Sequence, residues 1–410
     1  MEAVRVWKDA HDCDHDAGGR SRKLKTFASA EAGEYSREIS NGVRLHTSKC
    51  PVWVLDTPSN TESGSEQVTY ASHDVVRSHE HLNFSRVQDV NAQAVSKCTV
   101  KSVDFHSASE LVCTGGLDNR VDIFRVNLDS NINEKLQSLW LGIPVVQAEF
   151  SKFRNSDRIV VCGKDTMFFG NLERNSLEQA LMNGMRSGGT FVQSPDSQFI
   201  GVIGTSRLGL ICQKSRSCVI TLRSDSQIRT AAFDVNGNNI LGCTEDGLLH
   251  SWDIRMRRCL NSASGFDAVK SICLSADGKK IITGAADGLV RVFSRESINW
   301  SSANCRNTEQ YAIKTLTSLC TEITTLKASA ANDLIAVASS YRRNSFRLIH
   351  LSSLTVINNW PTQSTPLHYV SSAAFNQAGT LLAIANARGH VLAYEISSKL
   401  VGSDKKSIGH

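Results

Sequence analysis

The sequence contains no hydrophobic run of about 18 residues, the length that a membrane-spanning helix needs. Its amino-terminal stretch also lacks the apolar core of a secretory signal peptide. We therefore expect no contact with the membrane and no secretory leader. The chain nevertheless has 410 residues, of which 41% are hydrophobic, enough to bury a large core.

Catalytic signatures are absent as well. Gly201, Gly204 and Gly209 lack the spacing of a phosphate-binding loop and the Lys-Ser/Thr pair that follows it. The sequence has neither the GxSxG turn of serine hydrolases nor the HExxH motif of zinc proteases. We therefore predict no catalytic residues, no cofactor and a protein that is not an enzyme.

The 12 cysteines form neither a disulfide framework nor a CxxC pair. Cys113, Cys162 and Cys243 lie within apolar, strand-like segments, which is typical of small buried thiols in a reducing compartment. The segment His11–Asp16 holds metal-capable side chains, but its alternating charges favour weak adventitious affinity over a built site. We predict no structural metal.

Residues 1–80 differ in composition from the rest. They are rich in Asp, His, Ser, Lys and Glu and have few clustered apolar residues. Such a segment cannot bury enough surface to offset the entropy of ordering it, so we expect a flexible, largely disordered arm. One apolar island, Cys50–Asp56, interrupts it. This island fits either a partner-docking motif or a short strand packed on the following domain.

What the chain does contain is a repeat. Asp246–Gly247 and Asp287–Gly288 lie 41 residues apart, and an apolar strand-like segment stands on each side of both. A period of about 40–45 residues with a hairpin turn in each unit is typical of a β-propeller. Seven units can be traced, so we predict an all-β, seven-bladed propeller over residues 81–397, with 398–410 as a carboxyl-terminal tail.

A ring of blades must also close. Closure normally pairs a strand from one end of the chain with strands from the other, which removes an exposed sheet edge. Leu82–Val87 lies just before the first unit, and we predict that it forms the outermost strand of the last blade. The longer connection 295–322 predicts a loop insertion followed by an outer strand, and such insertions are common binding elements.

Two arginine clusters have the chemistry to contact phosphate groups, because guanidinium forks suit them. They are Arg255, Arg257 and Arg258 in one cluster, and Arg342, Arg343 and Arg347 in the other. Neither cluster has aromatic residues arranged in the sequence for base stacking, so solvated loops are the simpler interpretation of both. The net charge of +5 is mild and permits an acidic partner such as RNA without requiring one.

The pair Trp252–Asp253, which closes a strand after Thr244–Gly247, makes the chain similar to WD-repeat propellers. The other six units lack this pair, and no unit has a Gly-His pair ahead of its first inner strand. We therefore expect the polar network usual in WD repeats to be degenerate here.

A more specific resemblance rests on several segments in a fixed order. They are Ser102–His106, Gly115–Asn119, Ile123–Val126, Phe191–Asp196, Trp252–Leu260, Asp333–Ser339 and Arg347–Leu351. In this order they resemble the WD-repeat family of U3 small nucleolar RNA-associated subunits of the small-subunit processome. The resemblance covers roughly residues 80–397, the whole expected propeller.

The resemblance implies a scaffold in the nucleus, at the nucleolus, acting in pre-rRNA processing and in 18S rRNA and 40S subunit biogenesis. Its implied partners are other propeller and helical-repeat subunits of the processome and the pre-rRNA particle, with direct RNA contact left open. The alternative is a WD-repeat adaptor in a signalling or ubiquitin-ligase complex, because a fold does not fix a function.

Some members of the family carry in their arm a short motif that recruits the exosome-associated RNA helicase. In this chain Trp53 is followed three residues later by Asp56, as the motif requires. Val52 and Trp53, however, stand where the motif has Leu and Phe. The segment matches equally a Trp-Val-Asp stretch that other members carry without that role. Trp53 and Asp56 are therefore candidate partner-binding residues.

Overall fold

A computed structural model describes most of the chain beyond residue 81. The described residues are 82–127, 133–152, 158–182, 184, 186–298, 300, 312–331 and 334–398. They form 28 strands in seven four-stranded antiparallel sheets, with no helix in these ranges. The predicted all-β, seven-bladed propeller is therefore confirmed. The expected arm with its Cys50–Asp56 island, the tail beyond 398 and much of the 295–322 insertion lie outside the described residues.

Blades one to six are each built from four consecutive strands. In blades one to three the strands are β2 (Val100–Phe105), β3 (Leu111–Gly116), β4 (Arg120–Arg125), β5 (Glu134–Trp140); β6 (Val145–Phe150), β7 (Arg158–Gly163), β8 (Met167–Asn171), β9 (Ser176–Gln179); and β10 (Phe191–Gln193), β11 (Phe199–Ile203), β12 (Arg207–Cys212), β13 (Ser217–Arg223). In blades four to six they are β14 (Ile228–Phe233), β15 (Asn239–Thr244), β16 (Leu248–Asp253), β17 (Arg258–Ser264); β18 (Val269–Leu274), β19 (Lys280–Ala285), β20 (Leu289–Ser294), β21 (Lys314–Thr317); and β22 (Thr325–Ala328), β23 (Leu334–Ala338), β24 (Phe346–His350), β25 (Thr355–Ile357).

Blade seven combines strands from both ends of the described chain. It contains β26 (Val370–Phe375), β27 (Leu381–Asn386), β28 (Val391–Ser398) and, as its outermost strand, β1 (Leu82–Val87). The six residues of β1 pair antiparallel with β28, from Leu82 opposite Ser398 to Val87 opposite Ala393. The last blade therefore has its outer edge covered by the first strand.

Side chains reinforce this closure. Asn91 is buried, donates from Nδ2 to the carbonyl of Gly389 at 2.6 Å, and accepts the N–H of Val391 on Oδ1 at 2.9 Å. Phe84 stacks on Trp360, with 4.7 Å between the ring centroids. Stacking of Phe84 from β1 and the buried hydrogen bonds of Asn91, which follows β1, thus add to the backbone pairing of the closing strand.

The Asp-Gly turns need glycine for two reasons. Gly247 and Gly288 adopt φ values of +75° and +82°, a region that favours glycine. A Cβ on Gly288 would also lie 2.4 Å from the carbonyl oxygen of Leu319. The same crowding occurs between blades, because a Cβ on Gly284 would lie 2.6 Å from Cγ2 of Ile323. Small residues at these positions let neighbouring blades approach.

The core is divided into clusters that fill the spaces between adjacent blades. Trp252, only 1% exposed, belongs to the cluster shared by blades three and four. Cys113, Cys162 and Cys243 are buried in such clusters with free thiols. In the described part of the chain, no helix is long and apolar enough to cross a membrane.

Candidate functional site

The predicted site residues fall in two places. Trp53 and Asp56 lie outside the described residues, so their role in partner binding stays a prediction. Arg255, Arg257 and Arg258 are all exposed, at the turn that joins β16 to β17 in blade four. Within the described ranges, no ion pair or side-chain hydrogen bond holds their guanidinium groups.

The blade-four turn is fixed by its backbone. Oδ1 of Asp253 accepts the N–H of Arg255 at 2.7 Å and that of Met256 at 3.0 Å. Arg257 adopts a φ of +55°. The turn therefore presents solvated cations on a defined backbone, and their contact with phosphate groups stays a prediction.

The second arginine cluster differs from the sequence interpretation in its aromatic neighbours. Tyr341 is 64% exposed beside Arg342, and Tyr369, which is 37% exposed, comes from a later connection. Cζ of Arg343 lies 5.5 Å from the centre of the Tyr369 ring, a cation–π contact. Aromatic side chains therefore accompany this cluster, and whether they are arranged for base stacking stays a prediction.

Arg347 does not join that surface. It lies inside β24, where Nη1 donates to the carbonyl of Phe346 at 3.4 Å. Sequence proximity grouped it with Arg342 and Arg343, but those two residues lie in the exposed connection between β23 and β24. Only these two arginines of the cluster are presented together.

Three connections of blades six and seven are joined by hydrogen bonds into one surface. They are residues 339–345, 358–369 and 387–390. The N–H of Asn344 donates to the carbonyl of His368 at 2.7 Å, and the N–H of His368 donates to Oδ1 of Asn344 at 2.9 Å. The N–H of Ala387 donates to the carbonyl of Tyr369 at 2.9 Å. The backbone therefore sets the positions of the side chains on all three connections.

Positive charge accumulates on this surface. Burial and then the charges of Arg388 and Arg343 lower the pKa of His368, so guanidinium groups from both blades lie near one imidazole. None of the three connections contains Asp or Glu. Arg342, Arg343 and Arg388 have no carboxylate partner among the described residues. We call the set the Arg-Tyr surface; it consists of Tyr341, Arg342, Arg343, His368, Tyr369 and Arg388.

A separate polar cluster spans the centre of the ring. Nζ of Lys327 on β22 of blade six lies 3.0 Å from Oε1 of Glu149 on β6 of blade two. Gln147 and Gln193 donate to the same carboxylate at 2.9 and 3.1 Å. Burial disfavours the ionised form of Glu149, but the charges of Lys327 and Lys152 and these hydrogen bonds outweigh burial and lower its pKa to about 2. Blades two and six are not neighbours, so this ion pair crosses the central channel of the ring.

Asp104 on β2 of blade one lies beside this bridge. Its Oδ2 accepts the N–H of Phe150 at 2.9 Å. Burial first, and the charge of Glu149 second, raise the pKa of Asp104 to about 7. The carboxyl group therefore changes its protonation state near neutral pH.

The raised pKa of Asp104 predicts a pH dependence of stability. The unfolded chain releases this proton near pH 3.9, whereas the folded chain holds it to about pH 7. The contribution of protonated Asp104 to the stability of the folded chain is thus fully present below about pH 4 and is lost as the pH rises through 7. Asp104→Asn is neutral at every pH, so we expect it to raise the Tm more at about pH 8 than at about pH 5. Thermal unfolding of both proteins across this range measures the difference, and a constant difference would contradict the prediction.

In the described ranges, no group of three or more His, Cys, Asp or Glu side chains is arranged to hold a metal ion. The arrangement instead offers surfaces: the Arg-Tyr surface on one face, the blade-four arginine turn, and the outer strands of the blades.

Comparison with known proteins defines the class first. The family described as "WD domain, G-beta repeat" matches residues 90–125, 216–253 and 257–294. The last two matches each run from the end of one blade through three strands of the next. Together with the seven four-stranded blades, they show a β-propeller with three segments that match WD repeats.

Within that class the chain is similar to U3 small nucleolar RNA-associated protein 18. The homologue from Arabidopsis thaliana is 28% identical over 323 residues, and the one from Mus musculus is 26% identical over 327 residues. Each alignment covers 77% of this chain and 57% of the relative. The Saccharomyces cerevisiae protein of this name is 23% identical over 375 residues, 77% of this chain and 61% of the relative. The resemblance predicted from the ordered segments is thereby confirmed, and the chain spans less than two thirds of these relatives.

Proposed function

We propose that this chain is a non-enzymatic scaffold subunit of the small-subunit processome. It acts at the nucleolus in pre-rRNA processing and 18S rRNA and 40S subunit biogenesis. The observation that carries the proposal is the similarity, over 77% of the chain, to proteins named for their association with U3 small nucleolar RNA. A ring of seven blades suits this role, because its faces and circumference offer separate surfaces to several partners.

The circumference carries apolar side chains suited to protein contacts. Trp140 is 54% exposed on β5, Val219 is 48% exposed on β13, and Leu260 is 41% exposed on β17. Each lies on the outermost strand of its blade. Of these, Trp140 has the side-chain type most often found as an anchor of protein–protein interfaces, which supports assembly through protein–protein contacts.

A tagged copy of the chain tests this function in cells. We expect it to concentrate in the nucleolus and to co-purify U3 small nucleolar RNA together with processome subunits. Digestion of the RNA before purification is the control. A scaffold held by protein contacts keeps its protein partners after digestion, whereas an indirect association through RNA loses them. A diffuse cytoplasmic signal with co-purified ubiquitin-ligase subunits would contradict the proposal and favour the adaptor role.

A further inference from the structure

We propose that the Arg-Tyr surface binds single-stranded RNA, with its arginines on phosphate groups and its tyrosines on bases. The inference rests on the proposed function and deepens it, because it assigns direct RNA contact to one face of blades six and seven. The sequence did not show this surface, since Tyr369 and Arg388 come from connections other than the one that holds Tyr341, Arg342 and Arg343.

The charge distribution on this face of the ring carries the first part of the argument. Arg342, Arg343 and Arg388 extend from connections that contain no acidic residue. The equivalent turns of blades four and five carry Glu245, Asp246 and Asp287 instead. Among these four blades, positive charge on the equivalent turns is therefore confined to blades six and seven. A polyanion that approaches this face is attracted to that sector.

The exposed aromatic rings carry the second part and favour RNA over an acidic protein. Tyr341 is 64% exposed, and Tyr369 keeps part of its ring accessible beside Arg343. Single-strand binding combines a positively charged track with aromatic rings on which bases stack. An acidic peptide would be attracted by the arginines, whereas a nucleotide also brings a base that can stack on the exposed ring of Tyr341. A duplex keeps its bases stacked internally, so a single strand fits better.

The surface is also preorganised. Leu367 is fully buried and Trp360 is 6% exposed in the core beneath blades six and seven, so they anchor the connection that presents Tyr369. Reciprocal hydrogen bonds between Asn344 and His368 tie this connection to the one that presents Arg343. Binding therefore requires little ordering of the backbone, which favours affinity.

Fluorescence anisotropy with the purified full chain and a labelled oligouridine of about 12 nucleotides tests the proposal. Each phosphate contact on a single strand contributes a salt exponent of about 0.7, or roughly fivefold in affinity near 0.1 M salt. Arg343→Ala with Arg388→Ala should therefore weaken binding about 25-fold and reduce the salt exponent by about 1.4. Tyr341→Ala should weaken binding about tenfold, whereas Tyr341→Phe should bind like the unaltered chain because it keeps the ring.

The matched control is Arg207→Ala with Arg223→Ala. These arginines are exposed and lie opposite each other on β12 and β13 of blade three, so the control removes the same charge elsewhere on the ring. An equal loss of affinity in the two double variants would show that binding is non-specific and would overturn the proposal.

Tight binding of poly-glutamate with no effect of Tyr341→Ala would also overturn the proposal, because it would indicate an acidic protein partner. Failure to bind RNA in a chain that still co-purifies processome subunits rejects this surface and leaves the proposed function standing. RNA binding by a chain that stays outside the nucleolus would support this surface and contradict the proposed function.

Discussion

A chain that starts at residue 91 is expected to lose its monomeric state and to aggregate. The deletion removes β1 and with it the backbone ladder to β28. It also removes the buried Leu82 and Val87 and the stacking of Phe84 on Trp360. Loss of three such side chains costs roughly 5 kcal/mol or more, which is comparable to the whole stability of many domains. The uncovered edge of β28 then becomes a template for pairing with another chain. Size-exclusion chromatography with light scattering measures the outcome.

A chain that starts at residue 79 is the control for this deletion. It lacks nearly all of the arm but keeps β1, so we expect a monomer with the thermal stability of the full chain. A peptide of residues 79–90 added to the shorter chain should restore the monomer by supplying the missing strand. If the chain from residue 91 remains monomeric and as heat-stable as the full chain, the closing strand has no structural role.

The second large loss of stability is expected when the ion pair between Arg295 and Asp234 is broken. Arg295 follows β20 of blade five, and both its terminal nitrogens donate to the carboxylate of Asp234 in blade four, Nη2 to Oδ2 at 2.8 Å. Only 3% of the Asp234 side chain is exposed. Arg295→Gln leaves this buried carboxylate without its cation. We expect it to lower the free energy of unfolding by about 3 kcal/mol, at the lower end for buried pairs because the guanidinium is partly exposed. Urea denaturation measures the change.

Arg291→Gln is the matched control for this pair. Nη2 of Arg291 lies 2.7 Å from Oδ2 of Asp287, whose side chain is 42% exposed, so solvent screens the interaction. We expect a loss of less than about 1 kcal/mol. Adding Asp234→Asn to Arg295→Gln should recover part of the larger loss, because no buried charge then lacks a partner. Equal effects of Arg295→Gln and Arg291→Gln would show that burial of Asp234 does not strengthen its pair.

The parts of the molecule that follow from local chemistry could be predicted from the sequence. The positive φ of the Asp-Gly turns at Gly247 and Gly288 and the burial of the apolar strands around them are local features of this kind. The Arg-Tyr surface could not be predicted in this way. Tyr369 contacts Arg343, and Arg388 and Arg343 both lie near His368, because the ring places blade seven against blade six, and no sequence spacing encodes this proximity.

The same limit applies to the channel. Asp104, Glu149 and Lys327 belong to blades one, two and six, so their proximity depends on closure of the whole ring. Arg347 shows the opposite error, since proximity in sequence to Arg343 did not bring it to the same surface. Local patterns identify turns and strands, whereas sites formed between blades require the closed propeller.

The pairing of Leu82 with Ser398 has a consequence for the two segments that flank the propeller. These residues stand opposite each other at the end of the ladder between β1 and β28. Segments 1–81 and 399–410 are therefore covalently attached at neighbouring points of one blade. Where binding motifs of the two segments lie within a short linker of these points, the effective concentration of the second contact is on the order of millimolar. Two weak contacts, one from each segment, would then act as a single bivalent attachment.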